Sequence, residues 1–189
     1  MAGRTDTTRY TSVAMALHWV IALCIIGLII FGLLMTQEWM PNRFMIYQMH
    51  KSLGILVLIL SVLRLIWRLM HKPPALPDAM PGWQKAASHV THWAFYGLMF
   101  VVPLLGWAMV SASTLPVPTV LFWLVPLPDM PGVSESDALA DQFKALHEIG
   151  AKLFIALIIL HVGAALKHQF VDRDGVLLRM MPKGLRRVR

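Results

Sequence analysis

Acid is scarce in this chain, and so is charge of any kind. Only 10 of its 189 residues are Asp or Glu, and charged side chains make up 14% of the total. A water-soluble globule of this length needs more charge to cover its surface, so the composition excludes that class. Thiols are nearly absent: Cys24 stands alone. One cysteine cannot close an intramolecular disulfide or build a thiolate metal site. Its place inside an apolar run reads as a small buried side chain. The Lys and Arg residues leave a formal net charge of +7. They flank apolar runs, which is a pattern of membrane topology and gives no reason to expect a nucleic-acid partner.

What the chain has in abundance is apolar side chain, 57% of it, at a mean hydropathy of +0.62. Four apolar segments stand out, at about 13–35, 46–69, 88–111 and 143–170. Each is long enough to cross a bilayer, which takes about 20 residues. Backbone groups in lipid must be satisfied within the segment, so each is predicted to be an α-helix. The expected fold is all-α, an integral membrane four-helix bundle forming one domain over 1–189. Residues 10–37 hold 28 consecutive positions without Asp, Glu, Lys or Arg. A cleavable leader has an apolar core of only about 7–15 residues, so the first segment is expected to be a retained span.

Thirteen of the 17 Lys and Arg fall at the N-terminal flank, the connection between spans two and three, or the C-terminal end. The other four, Arg43, Lys51, Lys144 and Lys152, fall on the opposite side. The positive-inside rule then predicts both termini in the cytoplasm. The connection at 70–85 carries Pro73, Pro74, Pro77 and Pro81 and should be irregular. The longer one at 112–142 is too apolar over 115–128 for a free aqueous loop and is expected to lie at the interface or cap the bundle. Trp19, Trp67, Trp83 and Trp93 near one boundary, with Trp39 and Trp123 near the other, suggest aromatic belts. Pro103 is expected only to kink the third span.

Eight histidines are present, and ionisable groups inside a membrane are costly and usually functional. His147 and His161 are 14 residues apart on the fourth span, close to four full turns. They therefore share one face, roughly 21 Å apart along the axis. His18 lies early in the first span, which runs outward, and His50 early in the second, which runs inward. Two pairs follow at matched depths: His18 with His161 near the cytoplasm, and His50 with His147 near the outer face. Each pair draws on two helices, as a haem held in a bundle requires. Two imidazoles on one iron leave no open position, so such a haem transfers electrons. A proton relay or a metal transporter are the competing readings, and both would usually add intramembrane acids; Glu148 is the only acid near a candidate ligand.

Other residues are candidates for accessory roles. Arg64 lies 14 residues after His50 at the depth of the inner pair, where a haem propionate or plain snorkelling would account for it. Lys51, Lys144 and Lys152 surround the outer pair and could hold propionates or attract an anionic donor. His168, seven residues after His161, sits where a quinone headgroup could find a hydrogen-bond partner and cytoplasmic protons; an exposed helix-end histidine is the alternative. His89 and His92 share one face of the third span and read as interfacial caps, or as aids to quinone or proton delivery. His71, in the Pro-rich connection, reads as solvated.

The sequence resembles the bacterial cytochrome b-561 family over nearly its whole length. The resemblance is carried by Leu17-His18-Trp19, by Met49-His50 with Gly54-Ile55, by Leu146-His147-Glu148, by Leu160-His161 with His168, and by the stretch from Leu177 to Pro182. It implies two haem b groups, one on His18 and His161 and one on His50 and His147. It further implies a superoxide oxidase, taking electrons from superoxide outside and reducing ubiquinone in the membrane. The outer connection, with Asp129, Glu135, Asp137 and Asp141, is more acidic than a surface built to attract superoxide. The alternative is a non-catalytic haem b subunit relaying electrons between quinone and a partner protein. Membrane lipid, quinone, and superoxide or another outer donor are thus the expected partners. Neither the residues nor the resemblance indicates an oligomeric state.

Overall fold

In a computed structural model, residues 9–115 and 117–182 are described. The chain forms four long helices: α1 (Ser12–Leu34), α2 (Arg43–Met70), α3 (Gly82–Ala112) and α4 (Asp137–Lys167). All four are long and apolar enough to span a membrane. Only 11–22% of the most apolar window of each is buried inside the bundle. Leucines and isoleucines such as Leu23, Leu33, Ile159 and Leu160 point outward. Exposed apolar surface on that scale needs lipid around it.

Local chemistry sets the helix ends. The Thr11 hydroxyl accepts the Ala14 N–H at the start of α1, and the Ser136 hydroxyl accepts the Leu139 N–H at the start of α4. Two helix starts differ from the sequence expectation. Helix α4 begins at Asp137, six residues before position 143, with Ser136 as its N-cap, so its first turns, with Asp137 and Asp141, precede the apolar segment. Helix α3 begins at Gly82, with Pro81 at its N-cap, rather than at 88. Pro103 sits within α3 without ending it.

Helix α1 packs along α2, α2 along α3 and α3 along α4, while among the described residues α4 touches α1 and α2 only sparsely. The core holds Ile21, Val57, Tyr96, Met99 and Phe154, with Cys24 and Leu28 against it. Cys24 packs against this core but is only half-buried, less enclosed than the buried side chain expected from the sequence.

The fold is not purely helical. The connection at 112–142 contains a short antiparallel hairpin, β1 (Thr119–Leu121) and β2 (Val125–Leu127), with Val120 opposite Pro126. Phe122 and Trp123 turn the corner with positive φ (49° and 59°). Periodicity cannot reveal strands of three residues. The hairpin is tied down by polar groups of α2: Gln48 and Lys51 donate to the Pro118 carbonyl, and the Ser52 hydroxyl accepts the Phe122 N–H. Trp107 donates to the Pro128 carbonyl from α3. The segment caps the bundle, as its apolar content led one to expect.

At the other end the two terminal segments meet. Tyr10 N–H donates to the Arg179 carbonyl, the Arg9 guanidinium to Met181, and the Trp19 indole to Met180. After α4, a π-helical turn (His168–Asp172), Arg173 with φ 52°, and a short 3-10 turn (Leu177–Arg179) bring the chain back to that point. Both ends of the described chain thus lie at the same end of the bundle, as four spans require. Of the basic residues behind the predicted orientation, Arg4, Lys183, Arg186, Arg187 and Arg189 lie outside the described residues.

Candidate functional site

The bundle brings the four intramembrane histidines together two by two. His18 of α1 and His161 of α4 have ring centroids 6.3 Å apart, with planes at 82°. His50 of α2 and His147 of α4 have centroids 6.2 Å apart, at 73°. These contacts join the α1–α2 half of the bundle to the α3–α4 half, across the seam where backbones approach least. A metal–imidazole bond is about 2.0 Å long and the ring centre lies roughly 1.1 Å behind the nitrogen. Two rings on one iron therefore have centres about 6.2 Å apart, and both pairs meet that spacing.

The outer pair is seated by glycine. A Cβ on Gly106 would come 3.1 Å from His147 Cε1 and 3.2 Å from its Nδ1; one on Gly32 would come 3.2 Å from His50 Cε1. Without a Cβ in the way, the His147 ring reaches the backbone of α3, and its Nδ1–H donates to the Val102 carbonyl at 2.9 Å. That bond places the proton on Nδ1 and leaves the Nε2 lone pair free for a metal. His50 Nδ1 is buried and lacks a hydrogen bond of normal geometry. The Gly150 position lies so close to α3 that an added Cβ would meet Val102 Cγ2 at 2.9 Å, which fixes the distance of the carbonyl that His147 uses.

The inner pair is more crowded. His161 has the His92 ring 5.7 Å away and the Phe95 ring 5.2 Å away. His92 is therefore no interfacial cap. Its Nδ1–H donates to the Ser88 carbonyl at 2.6 Å, and the ring turns inward. The stripe His92, Phe95, Tyr96, Met99, at i, i+3, i+4, i+7, was the available signal. Arg64 does not snorkel outward: its Nη1 donates to His18 Nδ1 at 3.0 Å. His71 is not simply solvated, because it stacks on Trp67 with centroids 3.9 Å apart.

His168 lies at the end of α4, and its Nδ1 approaches Asp174 Oδ2 at 2.6 Å and Asp172 Oδ2 at 3.2 Å. Asp174 is held in turn by the Val176 N–H, and Asp172 by the Lys167 ammonium. The sequence reading named His168 but neither carboxylate. Near the outer pair, Lys51 is committed to the Pro118 carbonyl and lies over the Tyr47 ring, while Lys144, Lys152 and Glu148 are exposed.

A membrane bundle that presents imidazoles in pairs, at metal-bridging distance and joining its two halves, has the architecture of a b-type cytochrome. Residues 9–183 match the family model described as prokaryotic cytochrome b561, and the chain belongs to that family. It is thus a multi-pass bacterial membrane protein of a haem b electron-transfer family. Among curated relatives it is 33% identical to cytochrome b561 homolog 2 of Escherichia coli (strain K12), over 93% of this chain and 92% of that one. It is 31% identical to the probable superoxide oxidase CybB of Yersinia pestis, over 93% and 97%. Cytochrome b562 of Cereibacter sphaeroides is 27% identical, over 94% and 98%.

Proposed function

We propose that the chain, as one domain over 1–189, carries two haem b groups, one between His18 and His161 and one between His50 and His147, and moves electrons across a bacterial inner membrane. The observation that carries this is the matched spacing of the two pairs, 6.3 and 6.2 Å, on four different positions of three helices. The haem iron, when bound, supplies reversible one-electron chemistry. The protein's part would be to hold each iron with two imidazoles, His18 and His161 or His50 and His147, which would leave no position for a small molecule and suit the group to electron transfer. Val102 orients His147, and Gly32 and Gly106 let the outer imidazoles approach neighbouring helices. The capping hairpin covers the outer end. Both termini are placed in the cytoplasm on the charge pattern.

The overall reaction is inferred to be oxidation of superoxide outside, coupled to reduction of ubiquinone. Two superoxide ions each lose one electron and leave as dioxygen, and one quinone takes up two electrons and two protons to give the quinol. The 31% identity to a protein named as a probable superoxide oxidase supports this reading. His168 is assigned to the quinone end: the Asp174 carboxylate accepts from its Nδ1–H, which leaves the Nε2 lone pair to accept from the hydroxyl of the quinol. The runner-up is a non-catalytic relay subunit, favoured by relatives named only as cytochromes. Purified protein given superoxide and a ubiquinone analogue decides between them. Quinol formation by the protein alone supports the enzyme. Haem reduction that requires a co-purifying protein supports the relay. Absence of a b-type absorption spectrum would sink both.

A further inference from the structure

At the inner end, between the N-terminal segment and the last turns of α2, lies a cavity of about 50 Å³. A water molecule needs only about 10–15 Å³ by this measure, so a carboxylate has room. Arg9, Arg64, Arg68 and Lys72 all line the cavity, with Tyr10 and Trp67 beside them, and among the described residues no Asp or Glu does. Four cations around one cavity repel each other unless an anion enters. One donor is already unmet: Arg9 Nε is buried without a hydrogen-bond partner.

Arg64 shows where the anion comes from. Its guanidinium is always a donor, so the bond to His18 Nδ1 makes that nitrogen an acceptor. A neutral His18 in that tautomer carries its proton on Nε2 and cannot offer Nε2 to iron. With Nε2 on iron, the proton sits on Nδ1 and opposes the Arg64 N–H. Arg64 must then find another acceptor, and among the described residues the cavity it lines supplies no carboxylate. We infer that this cavity holds the propionate carboxylates of the inner haem, gripped by Arg64, Arg68, Lys72 and Arg9, with the two terminal segments closed over it. The inference rests on the inner haem reading above and extends it to three cations and to the chain ends. The closure is visible in the bonds from Arg9 to Met181, Trp19 to Met180 and Trp67 to Thr11. Cations at a haem edge favour the reduced, more negative state, so this cavity also raises the inner haem's potential relative to a site without them.

The test uses the intact haem-loaded protein and the variants Arg68→Gln, Lys72→Gln and their combination; neither side chain is hydrogen-bonded to a histidine among the described residues, and Arg68 only adds its charge near His92. Redox-difference infrared spectra would be recorded with haem carrying carbon-13 in its propionates, alongside potentiometric titration of both haems and mass spectrometry of bound phospholipid. The expected result is a shift of the labelled carboxylate bands and a lower potential for one haem, with the other unmoved. Unshifted labelled bands overturn the inference while leaving two b-type haems in place. Loss of a co-purified anionic phospholipid with unshifted bands also overturns it and makes the cavity a lipid headgroup site. If wild-type protein shows no inner haem, the inference and the haem reading fail together.

Discussion

Replacing Gly106 with Ala tests the seat of the outer site. The new methyl carbon would lie 3.1 Å from His147 Cε1 and 3.2 Å from Nδ1, inside ordinary contact distance. The ring has to give by a few tenths of an ångström, away from the Val102 carbonyl that it now reaches at 2.9 Å. Two effects oppose each other. Alanine in a helix interior is favoured over glycine by up to about 1 kcal/mol. Disturbing the partner that orients a metal-bound histidine typically costs 10–100-fold in metal affinity, about 1.4–2.7 kcal/mol. The second is larger but acts only on haem retention. The variant should therefore fold and insert normally, yet lose haem from the outer site more readily in dilution or competition with apo-myoglobin. The measurement is haem stoichiometry by the pyridine haemochrome spectrum, with low-spin EPR signals separating the two sites. Gly97→Ala serves as the control: Gly97 is exposed, nothing lies within 4 Å of its added Cβ, and both haems should remain. Full retention of both haems with unaltered EPR signals in Gly106→Ala, or loss from the inner site instead, would refute the reasoning.

Three further outcomes follow from the same geometry. His147→Ala and His161→Ala should each cost one haem, a different one, because each removes one axial nitrogen; two haems retained in either variant would overturn the pairing. Ser52 is buried, and its hydroxyl donates to the Gln48 carbonyl and accepts the Phe122 N–H at 2.9 Å. Ser52→Ala should weaken the hairpin's attachment by roughly 1–3 kcal/mol. Amide exchange at 118–127 then rises several-fold, and unchanged exchange would show that Ser52 does not anchor the cap. Asp174→Asn removes the charged acceptor at 2.6 Å from His168 Nδ1. Quinone KM should rise several-fold while reduction of the haems by an outer donor keeps its rate; an unchanged KM would remove His168 and its carboxylate from the quinone end.

Much of the framework was legible from composition. Long uncharged runs dictate helices because lipid offers the backbone no other partner, and the heights of His18, His50, His147 and His161 follow from helix direction and rise. Boundaries erred where polar turns extend a helix beyond its apolar part, as at Asp137 and Gly82. The hairpin escaped notice because three-residue strands carry too few residues for a pattern.

The sequence by itself determined the class, the number of spans and the matching depths of the histidine pairs, since these depend on hydropathy and on the fixed rise of a helix. Tertiary structure alone decided the rest. Which carbonyl His147 meets, that Gly32 and Gly106 are the residues that must be bare, that His92 turns toward His161, and that Arg64 reaches His18 all depend on how helices are rotated against one another. So does the gathering of Arg9, Arg64, Arg68 and Lys72 around one cavity. Rotation is set by side-chain packing between segments far apart in the chain, and no local periodicity encodes it.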